Sequence, residues 1–381
     1  MSVKKRVLIF YDHFYPAYKA GGPVQSLVNL IRNLHTEFDF YVVCKPHEMG
    51  ETTMLTNIEI NKWTSWENKA SVFYWNYSFA KRSELKNIFY HVKPTVVFIN
   101  GLYSFYFNIL PLWYSYKIKI AKIILSARGM LHPGALDQKA TKKKLFLFLL
   151  KRTGIQTKIN WHATDEKEKE FIQNKIGMQV KILVAGNFVN ALPPLPLINK
   201  EPGQLVLGTV ALISPMKNYK AIAEALLKCT GSVTWHIYGG VKDEPYWKEC
   251  KDVIKQLHSD NHVVYHGMLA PDELQKALET IHVFIMPSES ENFGHAIAEA
   301  LSAGKPVITT NTTPFVELTN EKAGTTVAID QLAAHLPTAI QQFISMGNNE
   351  YGQYSTNAVK YINDFVSVDR LHKQYNTLFN L

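Results

Sequence analysis

The stretch IHVFIMPSESENFGHAIAEALSAGKPVITT, residues 281–310, predicts a strand, a polar loop, a helix and a second strand. The apolar run Val283–Met286 is typical of a strand, and an acidic loop at residues 288–294 follows it. A helical pattern over residues 295–303 leads to a second apolar run, Val307–Thr310. In open α/β sheets, ligands bind at the carboxyl ends of strands, where helix N-termini offer free N–H groups to anions. Because acidic side chains stand in this loop, we expect a ligand that carries both phosphates and hydroxyls, such as a nucleotide sugar.

Strand-like and helical runs alternate along nearly the whole chain, which indicates a parallel α/β architecture. Outside the opening stretch, the predicted strands are 7–11, 40–43, 72–75, 96–100, 120–126, 161–164, 181–184, 205–210, 233–238 and 262–266. The tail from residue 330 predicts helices with breaks near Gly347 and Asp364. A length of 381 residues suits two domains, and the proline-rich segment 187–203 is the best linker. We therefore place the domain boundary near residue 190.

The cysteines and the apolar runs indicate the compartment. Cys44, Cys229 and Cys250 are far apart and show no paired spacing, so a disulfide framework or a zinc site is not expected. The N-terminus lacks the apolar core of a signal peptide, and the apolar run 145–150 is far short of the ~20 residues that span a bilayer. We expect a cytoplasmic protein that at most lies peripherally on the inner face of the cell membrane.

Positive charge concentrates between Lys117 and Lys158, where Asp137 is the single acidic residue of a chain with net charge +9. An anionic membrane attracts such a segment by roughly 1 kcal/mol per basic residue near its surface. Residues 135–152 predict a helix that mixes Leu and Phe with lysines, which favours interfacial binding. The alternative is a solvated helix face packed on its own domain. No nucleic-acid recognition motif accompanies the charge, so we expect no nucleic-acid partner.

Three sites in the first half of the chain are candidates for ligand binding. Gly21 and Gly22 stand between the first strand and a helix, where glycine lets the backbone approach a phosphate closely, although most diglycine turns are only turns. Arg128 stands at the carboxyl end of a strand, where it could meet a diphosphate or an acidic acceptor; a structural salt bridge is the alternative. His132 is the histidine most expected to reach the ligand, and a structural role is its alternative.

The run PSESENFGHAIAEALSAGKPVITTNTTPFVEL, residues 287–318, resembles the signature region of the glycosyltransferases of family 4 (group 1). That pattern is a glutamate, an aromatic–glycine pair and a second glutamate eight residues after the first. Here these residues are Glu291, Phe293 with Gly294, and Glu299.

Other segments extend the resemblance over nearly the whole chain. The Gly21–Gly22 loop matches the family's N-terminal glycines, and residues 214–218 match its Ser-Pro-x-Lys-Asn loop. The Arg-Gly-Met-Leu run at 128–131, followed by lysines, resembles a branch that builds bacterial surface polysaccharides.

The resemblance implies a GT-B fold, in which two Rossmann-like parallel-sheet domains face each other across a cleft. Residues 1–190 would form the acceptor-side domain and residues 191–364 the nucleotide-sugar-binding domain. The C-terminal helix, residues 365–381, would pack back on the first domain. The implied reaction is transfer of a sugar from a nucleotide-diphosphate sugar with retention of anomeric configuration.

The family's site residues carry over to matching positions. Glu299 would hold the ribose hydroxyls, Glu291 would bind hydroxyls of the donor sugar, and Lys217 would neutralise the leaving diphosphate. A carboxylate accepts charged hydrogen bonds from neighbouring hydroxyls, worth roughly 1.5–3 kcal/mol each. The alternatives are a solvated or ion-paired Glu299, a simple loop acid at Glu291 and a surface lysine at Lys217. The candidate catalytic residues are thus Glu291, Lys217 and Arg128. Besides Glu299, the candidate substrate-binding residues are Phe293, Gly294, Asn292, Gly239, Gly21, Gly22 and His132.

One position departs from the family. Leu212 stands where the family usually has an arginine five positions before its lysine, so half of the expected cationic clamp on the diphosphate is missing. Arg128 could substitute for it. The chain has no Asp-x-Asp pair to hold a divalent ion on a diphosphate, so we expect neither a metal nor another cofactor.

We therefore expect a retaining, metal-independent glycosyltransferase of the hexosyltransferase class. It would move a sugar from a nucleotide-diphosphate sugar to a lipid-linked glycan in polysaccharide biosynthesis, such as that of lipopolysaccharide or capsule. The alternatives are a GT-B sugar-nucleotide epimerase and a non-catalytic scaffold of a polysaccharide assembly complex.

Overall fold

The structure is a computed structural model, and it describes residues 4–77, 82–132 and 140–380. The chain divides into two compact units, one of Met1–Phe188 with Val368–Leu381 and one of Val189–Ser367. Each unit contains one mainly or wholly parallel sheet with helices packed on it. The predicted class of two parallel-sheet α/β domains is therefore confirmed.

The first unit is built on an eight-stranded sheet. Its strands are β1 (Lys5–Phe10), β2 (Phe38–Cys44), β3 (Trp63–Trp66), β4 (Ala70–Tyr74), β5 (Val96–Asn100), β6 (Lys122–Ser126), β7 (Asn160–Ala163) and β8 (Lys181–Val184). They lie in the order β3-β4-β2-β1-β5-β6-β7-β8, and each neighbouring pair is parallel except β3 with β4. The middle strands are continuous apolar runs because helices cover both faces of the sheet.

The second unit is built on a six-stranded parallel sheet. Its strands are β9 (Gln204–Val210), β10 (Ser232–Tyr238), β11 (His262–Gly267), β12 (Val283–Met286), β13 (Val307–Thr310) and β14 (Gly324–Val327). They lie in the order β11-β10-β9-β12-β13-β14. Because β9 and β12 are parallel neighbours, the loops after their carboxyl ends emerge at the same edge of the sheet.

The helices connect these strands. They are α1 (Gly22–Leu34), α2 (Arg82–Val92), α3 (Leu110–Lys117), α4 (Ala140–Thr153), α5 (Glu166–Ile176), α6 (Tyr219–Leu226), α7 (Glu244–Ile254), α8 (Leu274–Glu279), α9 (His295–Ser302), α10 (Leu332–Ser345), α11 (Asn348–Phe365) and α12 (Val368–Asn380). In the first unit, α2 to α5 contribute to one core cluster with Val97 and Ile99 of β5. Phe98 points to the opposite face, where its ring lies 5.9 Å from that of Phe379 on α12.

The opening stretch forms β12, α9 and β13, as predicted, and the helical tail breaks between α10 and α11 and between α11 and α12. The short strands β3 and β14 were not predicted, since neither is an apolar run and only one residue of β3 and two of β14 are buried. The helix predicted at 135–152 is described from Ala140, and its earlier residues lie outside the described ones. Within the described ranges, none of the helices is both long and apolar enough to cross a membrane.

Candidate active site

The loop between β12 and α9 owes its shape to a glycine. α9 begins after Gly294, whose φ of 81° lies in the left-handed region. A Cβ atom at Gly294 would lie 3.3 Å from Ile297 and 3.4 Å from Phe315, so glycine meets both a conformational and a steric need. The ring of Phe293 packs on His295 at 4.8 Å between centroids. The predicted Phe-Gly pair thus fixes how the loop enters the helix.

A second loop, residues 214–218 after β9, is tied to the first. The backbone N–H of Glu289 donates to the Met216 carbonyl at 2.9 Å. The Asn218 side-chain amide donates to the Pro287 carbonyl at 2.8 Å. These two bonds explain why the Ser-Pro-x-Lys-Asn loop and the acidic loop act as one structural element.

Lys217 and Glu291 meet at this junction. The Lys217 ammonium donates a hydrogen bond to a Glu291 carboxylate oxygen, and the two form a salt bridge. Their side chains are 21% and 13% exposed, so the pair is mostly sheltered but still open to solvent. Attraction between charges is stronger in such partial burial than in water. A cation and a carboxylate side by side can engage a phosphate oxygen and a sugar hydroxyl at the same place.

Two threonines that sequence reasoning missed fix the start of the acidic loop. The Thr310 hydroxyl at the end of β13 donates to the Ser288 carbonyl at 2.5 Å, and the Thr312 hydroxyl donates to the same carbonyl at 2.8 Å. The run Thr-Thr-Asn-Thr at residues 309–312 was the available signal, because hydroxyls after a strand end often bond a neighbouring loop.

Glu299 lies on the buried side of α9. Burial raises the pKa of its carboxyl to about 8, so the protonated form predominates at neutral pH. A protonated carboxyl has one O–H donor and a carbonyl acceptor, which suits a pair of neighbouring hydroxyls. The alternative of a solvated charge is wrong, because the residue is buried. Asn292, on the loop before this helix, is exposed.

Gly239 and Leu212 lie where β9 and β10 end. A Cβ at Gly239 would lie 1.8 Å from the Ala211 carbonyl oxygen, so the backbone packing alone requires glycine at this position. The half-buried Leu212 lies beside Gly240, since a Cβ built there would be 3.8 Å from Leu212 Cδ2. The position at which the family carries an arginine is therefore occupied by a half-buried apolar side chain.

Arg128 belongs to the first unit and is held by neutral partners. Its Nε donates to the Asn100 side-chain oxygen at 2.5 Å, and its Nη1 donates to that of Asn187 at 2.8 Å. The residue is buried and has a φ of 50°, in the left-handed region. The structural alternative considered for Arg128 was a salt bridge, but its Nε and Nη1 donate to amide oxygens, and the Tyr375 side chain is a further hydrogen-bond partner.

The turn that carries Arg128 is held by Glu168, a residue that the sequence did not single out. The buried Glu168 carboxylate accepts the Gly129 backbone N–H at 2.5 Å and the Thr164 backbone N–H at 2.7 Å. Glu168 is therefore a positioning residue for this turn.

The glycine loop before α1 is held in a similar way. Gly21 has a φ of 71° and stands at the N-terminus of α1, ahead of Gly22. The buried Glu48 carboxylate accepts the backbone N–H groups of Tyr18 and Lys19, each at 3.0 Å. Nothing in the local pattern around Glu48 indicated this role.

The predicted site residues thus fall into two groups. Lys217 and Glu291 are in contact, and the second unit also contains Asn292, Phe293, Gly294, Glu299 and Gly239. The first unit contains Gly21, Gly22, Arg128 and His132, whose ring packs edge-on against Phe171 at 5.0 Å. Among the residues that the structure describes, no three His, Cys, Asp or Glu side chains are grouped to hold a metal ion.

Comparison with known proteins supports a family for this arrangement. The model of the family "Glycosyl transferases group 1" matches residues 197–361. The chain is similar to alpha-monoglucosyldiacylglycerol synthase of Streptococcus pneumoniae, with 32% identity over 111 residues, 28% of this chain and 24% of that protein. It is also similar to O-antigen chain mannosyltransferase B of Escherichia coli, with 26% identity over 177 residues, 42% and 44% of the two chains. The chain thus matches less than half the length of either relative.

Solved structures extend the similarity to the whole fold. Anabaena Alr3699/HepE, solved in complex with UDP and glucose, superimposes with a TM-score of 0.73 over 99% of this chain and 100% of that one. The identity is 17%, so this likeness concerns the fold alone. Residues 197–361 thus belong to the group 1 glycosyltransferases, and the chain has the GT-B fold.

Proposed function

We propose that the chain transfers a sugar, with retention of configuration, from a nucleotide-diphosphate sugar to a lipid-linked glycan in polysaccharide biosynthesis. The observation that carries the proposal is the contact between Lys217 and Glu291 at the carboxyl ends of neighbouring parallel strands. A cation for the phosphates and an acid for the sugar stand there together.

In the proposed reaction the bond between the sugar C1 and the diphosphate oxygen breaks as a bond from the acceptor oxygen to C1 forms on the same face. The leaving diphosphate oxygen takes the proton of the acceptor hydroxyl, so no side-chain base is required. Charge builds on the diphosphate as the sugar becomes oxocarbenium-like, and Lys217 stabilises that charge. Neither a metal nor a cofactor is part of the proposal, because the chain has no Asp-x-Asp pair.

The other residues have supporting roles in this proposal. Glu291 binds hydroxyls of the donor sugar, and Glu299 binds the ribose through its protonated carboxyl. Lys217 then exchanges its bond with Glu291 for one with a phosphate oxygen. Arg128, which donates hydrogen bonds to two amide oxygens, is proposed as the second cation that Leu212 does not supply.

The relatives support the acceptor class. One is named for making a monoglucosyldiacylglycerol and the other for acting on the O-antigen chain. A lipid-linked acceptor would bring the protein to the inner face of the cell membrane, where the basic segment around α4 meets anionic lipid.

A second candidate function is a non-catalytic scaffold of a polysaccharide assembly complex. Leu212 favours it, because an apolar side chain stands at the position where the family has a cation for the diphosphate. A scaffold would bind nucleotide sugars without turnover.

The test is transfer of radiolabelled sugar from UDP-, GDP-, dTDP- and ADP-sugars into a bacterial membrane extract. The wild type should label the lipid fraction from one donor, and Glu291→Gln and Lys217→Gln should each lose at least about a hundredfold of the rate. Matched controls are Glu289→Gln, an exposed acid of the same loop, and Lys220→Gln, which pairs with Glu249 on the surface of the same unit.

The outcomes separate the candidates. Donor binding without labelling by the wild type would favour the scaffold, and conversion of the donor to its epimer without acceptor would favour the epimerase. Full activity in both Glu291→Gln and Lys217→Gln would refute the assignment of the site.

A further inference from the structure

The helix α4 has an apolar face on each side. Phe146, Leu147 and Leu150 pack with the core cluster of the first unit. Leu145, Phe148 and Leu149 point the other way and are 58%, 60% and 51% exposed. Residues three and four apart lie next to each other along a helix, so these three side chains form one stripe. A helix of a soluble domain normally keeps such a stripe polar.

The described charged residues of α4 are all basic. Lys144, Lys151 and Arg152 are exposed, and α4 contains no acidic residue. Lysine and arginine can lie their apolar stems along a neighbouring apolar surface while the charged ends reach outward. A partner for this stripe must therefore be anionic and must also accept apolar side chains.

The neighbouring helix α3 enlarges this surface. α3 connects β5 to β6, and a segment that includes α4 connects β6 to β7. The three strands are successive neighbours in the sheet, so both connections step in the same direction across it. Because such crossovers are right-handed, both helices lie on the same face of the sheet. Leu112 of α3 and Leu150 of α4 belong to the same core cluster. Lys158, shortly after α4, donates from its ammonium to the Tyr116 hydroxyl of α3 at 3.1 Å. The two helices are thus neighbours.

The outer side of α3 has the same character as that of α4. Trp113 and Tyr116 of α3 are exposed, and so is Ile118, which follows the helix. Lys117 and Lys119, on either side of Ile118, are also exposed. Trp and Tyr are the residues that favour the headgroup level of a bilayer, because their rings combine an apolar body with a polar atom.

We propose that this surface, the α3–α4 face, docks the first unit on an anionic lipid bilayer. Its residues are Trp113, Tyr116, Lys117, Ile118, Lys119, Lys144, Leu145, Phe148, Leu149, Lys151 and Arg152. The inference rests on the membrane partner of the proposed function and assigns it to two named helices. The apolar side chains of this face are exposed to solvent, which suits insertion among lipid headgroups. The basic residues complement the negative charge of anionic headgroups.

The experiment is vesicle flotation with the full-length protein in the absence of any nucleotide sugar. Vesicles of phosphatidylcholine with about 30% phosphatidylglycerol should carry the wild type, vesicles of phosphatidylcholine alone should not, and high salt should release it. The variant Leu145→Ser/Phe148→Ser/Leu149→Ser and the variant Lys151→Glu/Arg152→Glu should each bind at least about tenfold more weakly. The charge variant keeps the apolar stripe, and thermal melting confirms that both variants are folded.

The matched control is Tyr90→Ser/Lys93→Glu on the same unit. Tyr90 is 77% exposed at α2, and the Lys93 ammonium lies 5.7 Å from the centre of its ring. This variant removes an exposed aromatic ring and a basic charge that are not part of the α3–α4 face, and it should float like the wild type.

Three results would overturn the inference. The wild type could stay unbound to anionic vesicles, or the stripe variant could bind as well as the wild type. The wild type could also elute as a dimer that the stripe variant converts to a monomer, which would make the face a protein interface. Flotation is measured without a nucleotide sugar, so it does not depend on sugar transfer. A protein that transfers no sugar but still binds anionic vesicles would contradict the proposed function and leave this inference intact.

Discussion

Removing either member of the Lys217–Glu291 pair should destabilise the second unit, and removing both should restore most of the stability. Lys217→Gln leaves a sheltered carboxylate without its cation, and Glu291→Gln leaves a sheltered ammonium without its anion. The double variant has two neutral amides that can bond each other. Donor binding should be lost in all three variants, because the phosphate needs the cation and the sugar needs the acid.

The expected coupling free energy between Lys217 and Glu291 follows from how far their side chains are exposed. Two unit charges about 4 Å apart attract by about 4 kcal/mol at an effective dielectric constant of 20, and desolvation and side-chain entropy offset much of this. With side chains 21% and 13% exposed, we expect a coupling free energy of about 1–2 kcal/mol. For a unit of this size, 1 kcal/mol corresponds to about 2–4 °C in melting temperature.

The assay is thermal melting of the wild type and the three variants, each with and without a panel of UDP-, GDP-, dTDP- and ADP-sugars. A bound ligand raises the melting temperature by mass action. The matched control is the more exposed pair Lys220–Glu249, where Lys220→Gln should change neither stability nor ligand response. A double variant that is stabilised by nucleotide sugars as strongly as the wild type would refute the reasoning, because the pair would then be only structural.

Three further predictions concern single residues. The folded pKa of Glu299, about 8, lies above the ordinary 4.5, so the stability that the proton confers is full below pH 4.5 and is lost as the pH rises toward 8. The free energy of unfolding of the wild type should therefore fall relative to that of Glu299→Gln by up to about 1.4 kcal/mol per pH unit in this window. Urea denaturation of both proteins at pH 5.5 and 7.5 measures this, and a difference between them that is the same at both pH values would contradict it. Lys200 is buried, and its ammonium donates to the backbone carbonyls of Glu201, Ile344 and Met346. Lys200→Met should therefore lower the free energy of unfolding by about 2–4 kcal/mol in urea denaturation, because it leaves these carbonyls without their donor. Lys248→Met, at an exposed position, is the control and should not change it. Leu212→Arg should tighten UDP binding about tenfold in calorimetry by adding a cation near the phosphates, and unchanged affinity would show that this position does not face them.

The βαβ unit at residues 281–310 could be predicted because its apolar runs, loop and glycines agree locally. β9, β10 and β12 were predictable for the same reason. β3 was not, because Trp63–Trp66 pairs antiparallel with β4 at the sheet edge and only its last residue is buried. An edge strand with one buried residue leaves almost no periodic pattern in the sequence.

The sequence named candidate residues for the site but not the contacts that these residues make. Glu291 and Lys217 followed from a family pattern, yet their salt bridge depends on β9 and β12 being neighbours, which is a property of the sheet order. The two amide oxygens on Arg128 come from positions 28 and 59 residues away. Glu48 and Glu168 hold backbone N–H groups of distant loops, and no local pattern marks an acid for that role.

Transfer of labelled sugar from a nucleotide-diphosphate donor to a lipid-linked acceptor, followed by determination of the anomeric configuration of the product, tests the central claim most directly. The account predicts a product with the configuration of the donor from the wild type and none from Glu291→Gln. An inverted product, or equal product from wild type and Glu291→Gln, would contradict it.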